Sequence, residues 1–140
     1  MSKQFTLGKN ERLKSRKQIE LLFSKGNKFV VSPFRIFFIS TENKVKGTAS
    51  SLQFGIGVSA KNFRRAVDRN RIKRLTREAW RLQKNDPINI GLKEKLTTSG
   101  KQLNVFFIYI NKEMPEYSLV FNKIGIAVKK LIEKIEQQGK

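Results

Sequence analysis

From Ala66 to Asp86 the chain contains neither glycine nor proline, and directly upstream Leu52, Phe54, Ile56 and Val58 alternate with Gln53, Gly55, Gly57 and Ser59. A period of two followed by a long run of helix formers predicts a strand with one side buried, a loop, and a helix ending near Gln83. At about 100° per residue, with Asn70 at zero, Lys73, Arg74, Arg77 and Arg81 fall within about 60° of it. Ile72, Leu75, Ala79 and Leu82 fall at about 120 to 200° and are expected to form the buried stripe.

The polar side of this helix is charged in one sign. Between Lys61 and Lys84, ten Lys or Arg oppose two acids, Asp68 and Glu78, so this stretch carries +8 of the chain's formal +19. A merely solvated basic face is the competing reading. Against it stand the continuity of the face over three turns and the cost of packing like charges at i,i+4. Self-repulsion of this kind points to a polyanionic partner, and nucleic acid fits best. Lys61, Arg64 and Arg65 in the preceding loop extend the face formed by Asn70, Lys73, Arg74, Arg77 and Arg81. Arginine forks match phosphate oxygens, and an asparagine both donates and accepts, which suits an RNA backbone with its 2′-hydroxyls.

The same residues resemble a known family. Ala66-Val67-Asp68-Arg69-Asn70-Arg71-Ile72-Lys73-Arg74-Leu75, continuing to Arg77-Glu78, is similar to the Arg-Asn-Arg helix signature of the bacterial ribonuclease P protein subunit. It follows the strand Gly55-Ile56-Gly57-Val58-Ser59 and a basic loop, where Asn62-Phe63-Arg64-Arg65 replaces a shorter, glycine-containing version found in many members. The resemblance implies that the helix, Arg69 and Arg71 included, grips ribonuclease P RNA. It further implies that this RNA, with Mg²⁺, removes the 5′ leader of precursor tRNA, making the chain part of an endoribonuclease without catalytic residues of its own. A ribosomal-type structural RNA-binding protein is the alternative. A DNA regulator is not expected, because a strand rather than a helix precedes the basic helix.

Histidine and cysteine are both absent, which excludes disulfides, His/Cys zinc sites, a His base and a Cys nucleophile. Eleven carboxylates stand scattered, so no protein-bound metal is expected and Mg²⁺ is assigned to the RNA by resemblance. No stretch approaches the roughly 18 apolar residues of a membrane span and no apolar signal core opens the chain, so a soluble, cytoplasmic protein is expected, with no membrane partner.

Along the chain, residues 1–14 read as a basic arm. Ser15 with Gln18 has the form of a capping box, and Ile19, Leu22 and Phe23 before Gly26 predict a helix over Arg16 to Lys25. Lys28 to Thr41 predicts a short strand before Pro33 and a longer one from Phe34 to Ser40, with Glu42 to Ser51 as a turn between two antiparallel strands. Asn85-Asp86-Pro87 stops the central helix, 88–101 is a loop, and Leu103 to Ile110 reads as an interior strand covered on both faces. Tyr117, Phe121, Ile124, Val128, Leu131 and Ile135 predict a long final helix. The expected fold is a single α+β domain over 1–140, in the order α, β, β, β, α, β, α, with about four strands in a mainly antiparallel sheet packed with three helices. The family resemblance adds a left-handed βαβ crossover.

A second candidate surface is aromatic. Phe23, Phe34, Phe37 and Phe38 include rings that could stack on unpaired bases, although most of eleven phenylalanines must be core. The resemblance selects Phe23 and Phe37 as cleft aromatics for the leader, with Ile19 where some members carry a third ring. Arg12 and Lys14, in the segment Arg12-Leu13-Lys14-Ser15, resemble the family's basic residues beside that cleft. The two strand glycines, Gly55 and Gly57, signal either a bulge or close packing by another element, or close approach of a nucleic-acid strand or the basic loop.

Overall fold

The computed structural model describes residues 13, 16–42, 52–83 and 101–138. The basic arm apart from Leu13, Ser15, the 43–51 connection, the Asn85-Asp86-Pro87 stop, residues 88–100 and the side chain of Ile135 lie outside the described residues. The elements are α1 (Arg16–Lys25), β1 (Asn27–Val31), β2 (Phe34–Glu42), β3 (Leu52–Val58), α2 (Ala66–Gln83), β4 (Lys101–Tyr109) and α3 (Tyr117–Gln138).

The four strands form one sheet in the order β1-β2-β4-β3. β1 and β2 make a tight antiparallel hairpin across Ser32 and Pro33, whose peptide bond is cis. β2 pairs antiparallel with β4, and β3 pairs parallel with β4, so the sheet is mixed, with two of its three pairings antiparallel. The expectation that the strands either side of the 43–51 connection are neighbours needs correction, because β4 lies between them. β4 is the strand of highest apolar density, and inserting it centrally pairs its backbone on both edges.

Alternation in β4 separates two faces. Leu103, Val105, Phe107 and Tyr109 are buried with Phe34, Ile36 and Phe38 of β2 and Phe54 and Ile56 of β3, and this face carries α2 and α3. Phe34 and Phe38 are thus core side chains and take no part in a cleft. On α3, Val120, Ile124, Ala127, Val128 and Leu131 are buried, as its period requires. The other face of β4, with Asn104, Phe106 and Ile108, is only half-buried, and α1 covers part of it. The interior position of β4 is therefore as expected, but its second face is only partly covered.

α2 keeps its predicted length yet sits rotated by roughly 60° from the predicted stripe. Ile72, Thr76, Ala79, Trp80 and Gln83 are buried, whereas Leu75 is half-buried and Leu82 is 37% exposed. Trp80 is the cause. Its ring stacks on Phe54 at 4.6 Å and 12°, and meets Phe107 edge-on at 5.7 Å. An indole buries far more area than a leucine, so its docking decides which side of the helix faces the sheet. The two polar side chains drawn in by the rotation are both bonded: Thr76 Oγ1 donates to the Ile72 carbonyl at 2.8 Å, and Gln83 Nε2 donates to the Phe121 carbonyl at 3.2 Å. Buried polar groups with partners carry little penalty.

Candidate nucleic-acid interface

Rotation of α2 sorts its cations. Asn70, Arg71, Arg74 and Arg77 are exposed, while Lys73 and Arg81 are half-buried. Lys73 and Arg77 come to the rim that faces β3, and Arg81 reaches Glu78 at 3.5 Å. A solvent-accessible pair of that length contributes little. Near this end of the helix the Tyr117 hydroxyl is pushed above its usual range, first by burial and then by the Glu78 carboxylate, with Arg81 acting in the opposite direction.

Arg69 is placed differently from its signature neighbours. It is half-buried, and its Nη1 donates to the carbonyls of Phe63 at 2.8 Å and Arg64 at 2.9 Å. The loop so held carries Lys61, Arg64 and Arg65, all exposed. Phe63 plugs this loop into the core, 6.0 Å from the Tyr109 ring.

Two grooves result. One, of about 640 Å³, is lined by Arg65, Asn70, Arg71, Arg74 and Arg77 among others, with Asp68 the acid in its wall. It is an anionic-ligand surface by charge and by the fork geometry of its arginines. The other, of about 440 Å³, lies along β3 and is lined by Leu13, Ile19, Gly55, Gly57, Phe106, Lys73 and Arg77 among others. Arg77 borders both.

Beside the second groove the aromatic residues meet. Phe23 of α1 lies edge-to-face with Phe37 of β2 at 4.9 Å and with Phe106 of β4 at 5.6 Å. Phe23 is 46% exposed and Phe37 half-buried, so this cluster is open to solvent on one side. Ile19 lines the groove next to it. Arg12 and Lys14 lie outside the described residues, but Leu13 between them is buried and its N–H donates to the Phe54 carbonyl at 2.8 Å on the outer edge of β3.

Phe106 is the residue that sequence reasoning missed. In a continuous apolar run it reads as core, yet it pairs with Phe37 on one side and Gly55 on the other. A Cβ on Gly55 would stand 2.6 Å from its ring, and one on Gly57 would stand 3.1 Å away. Phe106 therefore packs close against both glycines, as the packing reading expects, while they remain in the wall of the second groove. Their position in the strand was the available signal, since a bare strand face invites a ring from its neighbour.

Among the described residues no three Asp, Glu, His or Cys side chains converge to hold a metal ion, and no helix is long and apolar enough to cross a membrane. The side chains lining the two grooves offer cations, an amide and a ring, which suit the binding of phosphates and of planar bases.

The family described as Ribonuclease P matches residues 7–93. The ribonuclease P protein component of Porphyromonas gingivalis is 38% identical over 117 residues, covering 83% of this chain and 79% of that protein. In fold, the ribonuclease P protein of Staphylococcus aureus superposes with a TM-score of 0.57 at 20% identity, over 87% of this chain and 94% of that one. That of Thermotoga maritima does so with a TM-score of 0.57 at 22% identity, over 86% of this chain and 96% of that one.

Proposed function

The chain belongs to the ribonuclease P protein family, and from that premise we propose that it binds ribonuclease P RNA through α2 and its preceding loop while holding the 5′ leader of precursor tRNA in the groove beside Phe23, Phe37 and Phe106. The observation that carries this reading is the shared border at Arg77, which joins a cationic groove to an aromatic one. A folded RNA needs phosphate neutralisation over a broad face, and a single-stranded leader needs rings and a narrower basic rim. Both surfaces occur here on adjoining elements.

In this reading the phosphodiester would be hydrolysed by the RNA subunit, with Mg²⁺ that the RNA rather than this chain would hold. The protein side chains hold and orient. Arg71, Arg74 and Arg77 neutralise phosphates, Asn70 can pair with a 2′-hydroxyl, and Phe23 and Phe37 offer ring faces to unpaired bases. Lys73 and Arg77 line the leader's path. The particle acts in the cytoplasm. A ribosomal-type structural role is not favoured by the family to which the chain belongs.

The test is reconstitution with a bacterial ribonuclease P RNA at a Mg²⁺ concentration too low for that RNA alone. Added protein is expected to restore cleavage of precursor tRNA at the 5′ end of the mature sequence. RNA binding without any stimulation of cleavage would return the chain to the structural class.

A further inference from the structure

We infer that Arg69 is a positioning residue, holding the cationic loop 59–65 in shape, and that its contribution to RNA binding passes through Lys61, Arg64 and Arg65. The inference rests on the RNA-binding reading above but departs from the expectation that every basic residue of the Arg-Asn-Arg signature faces the RNA.

The geometry is specific. Residue 69 satisfies three consecutive loop carbonyls: Phe63 and Arg64 through its Nη1, and Arg65 through its own backbone N–H at 3.2 Å. The Arg65 carbonyl also accepts from the Asp68 N–H at 3.2 Å, so it closes the first turn of α2. Upstream the loop is bonded to itself, with the Lys61 N–H donating to Ser59 Oγ at 3.1 Å and the Phe63 N–H to the Ser59 carbonyl at 3.0 Å. Phe63 is 8% exposed and anchors the middle of the loop.

Orientation agrees. Arg69 falls about 100° around the helix from Asn70, away from the Asn70–Arg74 surface and toward the loop. Its loop presents three exposed like charges within five residues, Lys61 to Arg65, which repel one another and favour an open chain. A charged fork bonded to adjacent carbonyls opposes that opening, since hydrogen bonds from a charged donor are among the stronger ones. Loop cations ordered before RNA arrives lose less conformational freedom on binding.

Two measurements test this. The first is a double-mutant cycle in RNA affinity, read by titrating ribonuclease P RNA at several salt concentrations, combining Arg69→Ala with the loop variant Lys61→Ala/Arg64→Ala/Arg65→Ala. Positioning predicts about a tenfold loss from Arg69→Ala in the native loop, and less than about twofold, with no change in salt slope, once the loop is neutral. A direct phosphate contact would instead cost the same factor in both backgrounds and lower the slope by about 0.7 to 0.9 each time, which would overturn the inference. General destabilisation would likewise weaken both backgrounds alike and count against it.

The second is hydrogen exchange of the free protein, which does not depend on which RNA the chain binds. Exchange of the Phe63 amide should quicken at least about tenfold in Arg69→Ala while amides of Ile72 to Trp80 stay as they were; an unchanged Phe63 amide would also overturn it. Should Arg69→Ala not fold, Arg69→Gln takes its place in both measurements. Failure of the native chain to prefer ribonuclease P RNA over an unrelated RNA of equal length would count against the proposed function, leaving the exchange result to decide the role of Arg69.

Discussion

A Cβ built on Gly55 would meet Cδ2 of Phe106 at 2.6 Å and the Leu13 carbonyl oxygen at 3.2 Å, whereas one on Gly57 would touch only the outer ring atoms of Phe106 at 3.1 and 3.2 Å. The first is a hard overlap at a ring already wedged against Phe23 at 5.6 Å; the second can be relieved by a shift of a few tenths of an ångström. Gly55→Ala should therefore destabilise the protein by about 1 to 3 kcal/mol, and Gly57→Ala by less. Urea melts followed by the fluorescence of Trp80, the sole tryptophan, measure this directly. A Gly57→Ala cost equal to or above that of Gly55→Ala would show that Phe106 does not set the shape of this strand face.

α2 carries two demands at once, burying Trp80 and displaying cations, and its rotation reconciles them. Lys73, Arg77 and Arg81 follow at i,i+4 spacing, each like-charged neighbour costing the helix about 0.2 to 0.5 kcal/mol. RNA phosphates bound along this face, as proposed, would relieve that repulsion. Replacing Arg74 and Arg77 together by Ala should lower the salt slope of RNA binding by about 1.5 units, if each side chain neutralises one phosphate, while leaving the melting curve nearly unchanged. An unaltered slope in that double variant would remove the outer face of α2 from the interface.

Across the whole molecule, the sheet separates two surfaces. Its core face seats α2 and α3, and its other face, with α1, holds the Phe23, Phe37 and Phe106 cluster; the rim of α2 reaches round the β3 edge to border both grooves. With a formal charge of +19, any RNA is attracted, so under the proposed function the rings would supply the discrimination between leader-bearing and leaderless RNA. Phe23→Ala should weaken binding of a long-leader precursor by about 1 to 3 kcal/mol and leave mature tRNA affinity nearly unchanged, with only a modest stability loss because the ring is 46% exposed. Equal losses for the two RNAs, or a collapse of the fold, would make Phe23 a structural residue.

Local signals, caps and breakers as well as periodicity, were enough to set the limits of α1 and α2, the strand at Leu52 to Val58, the interior character of β4 and the concentration of cations on one side of α2, because each depends on residues a few positions apart. The signature from Ala66 to Glu78 carried the family as well. What it could not supply was partners. That β4 lies between β2 and β3, that Trp80 turns α2 toward Phe54, that Phe106 packs close against the glycines of β3, and that Arg69 bonds the loop behind it all depend on contacts between separate elements or across a loop. A periodic pattern states which side of an element is apolar or charged; only packing against a partner, where one indole buries more area than a leucine, decides how that side is turned and what each charge meets.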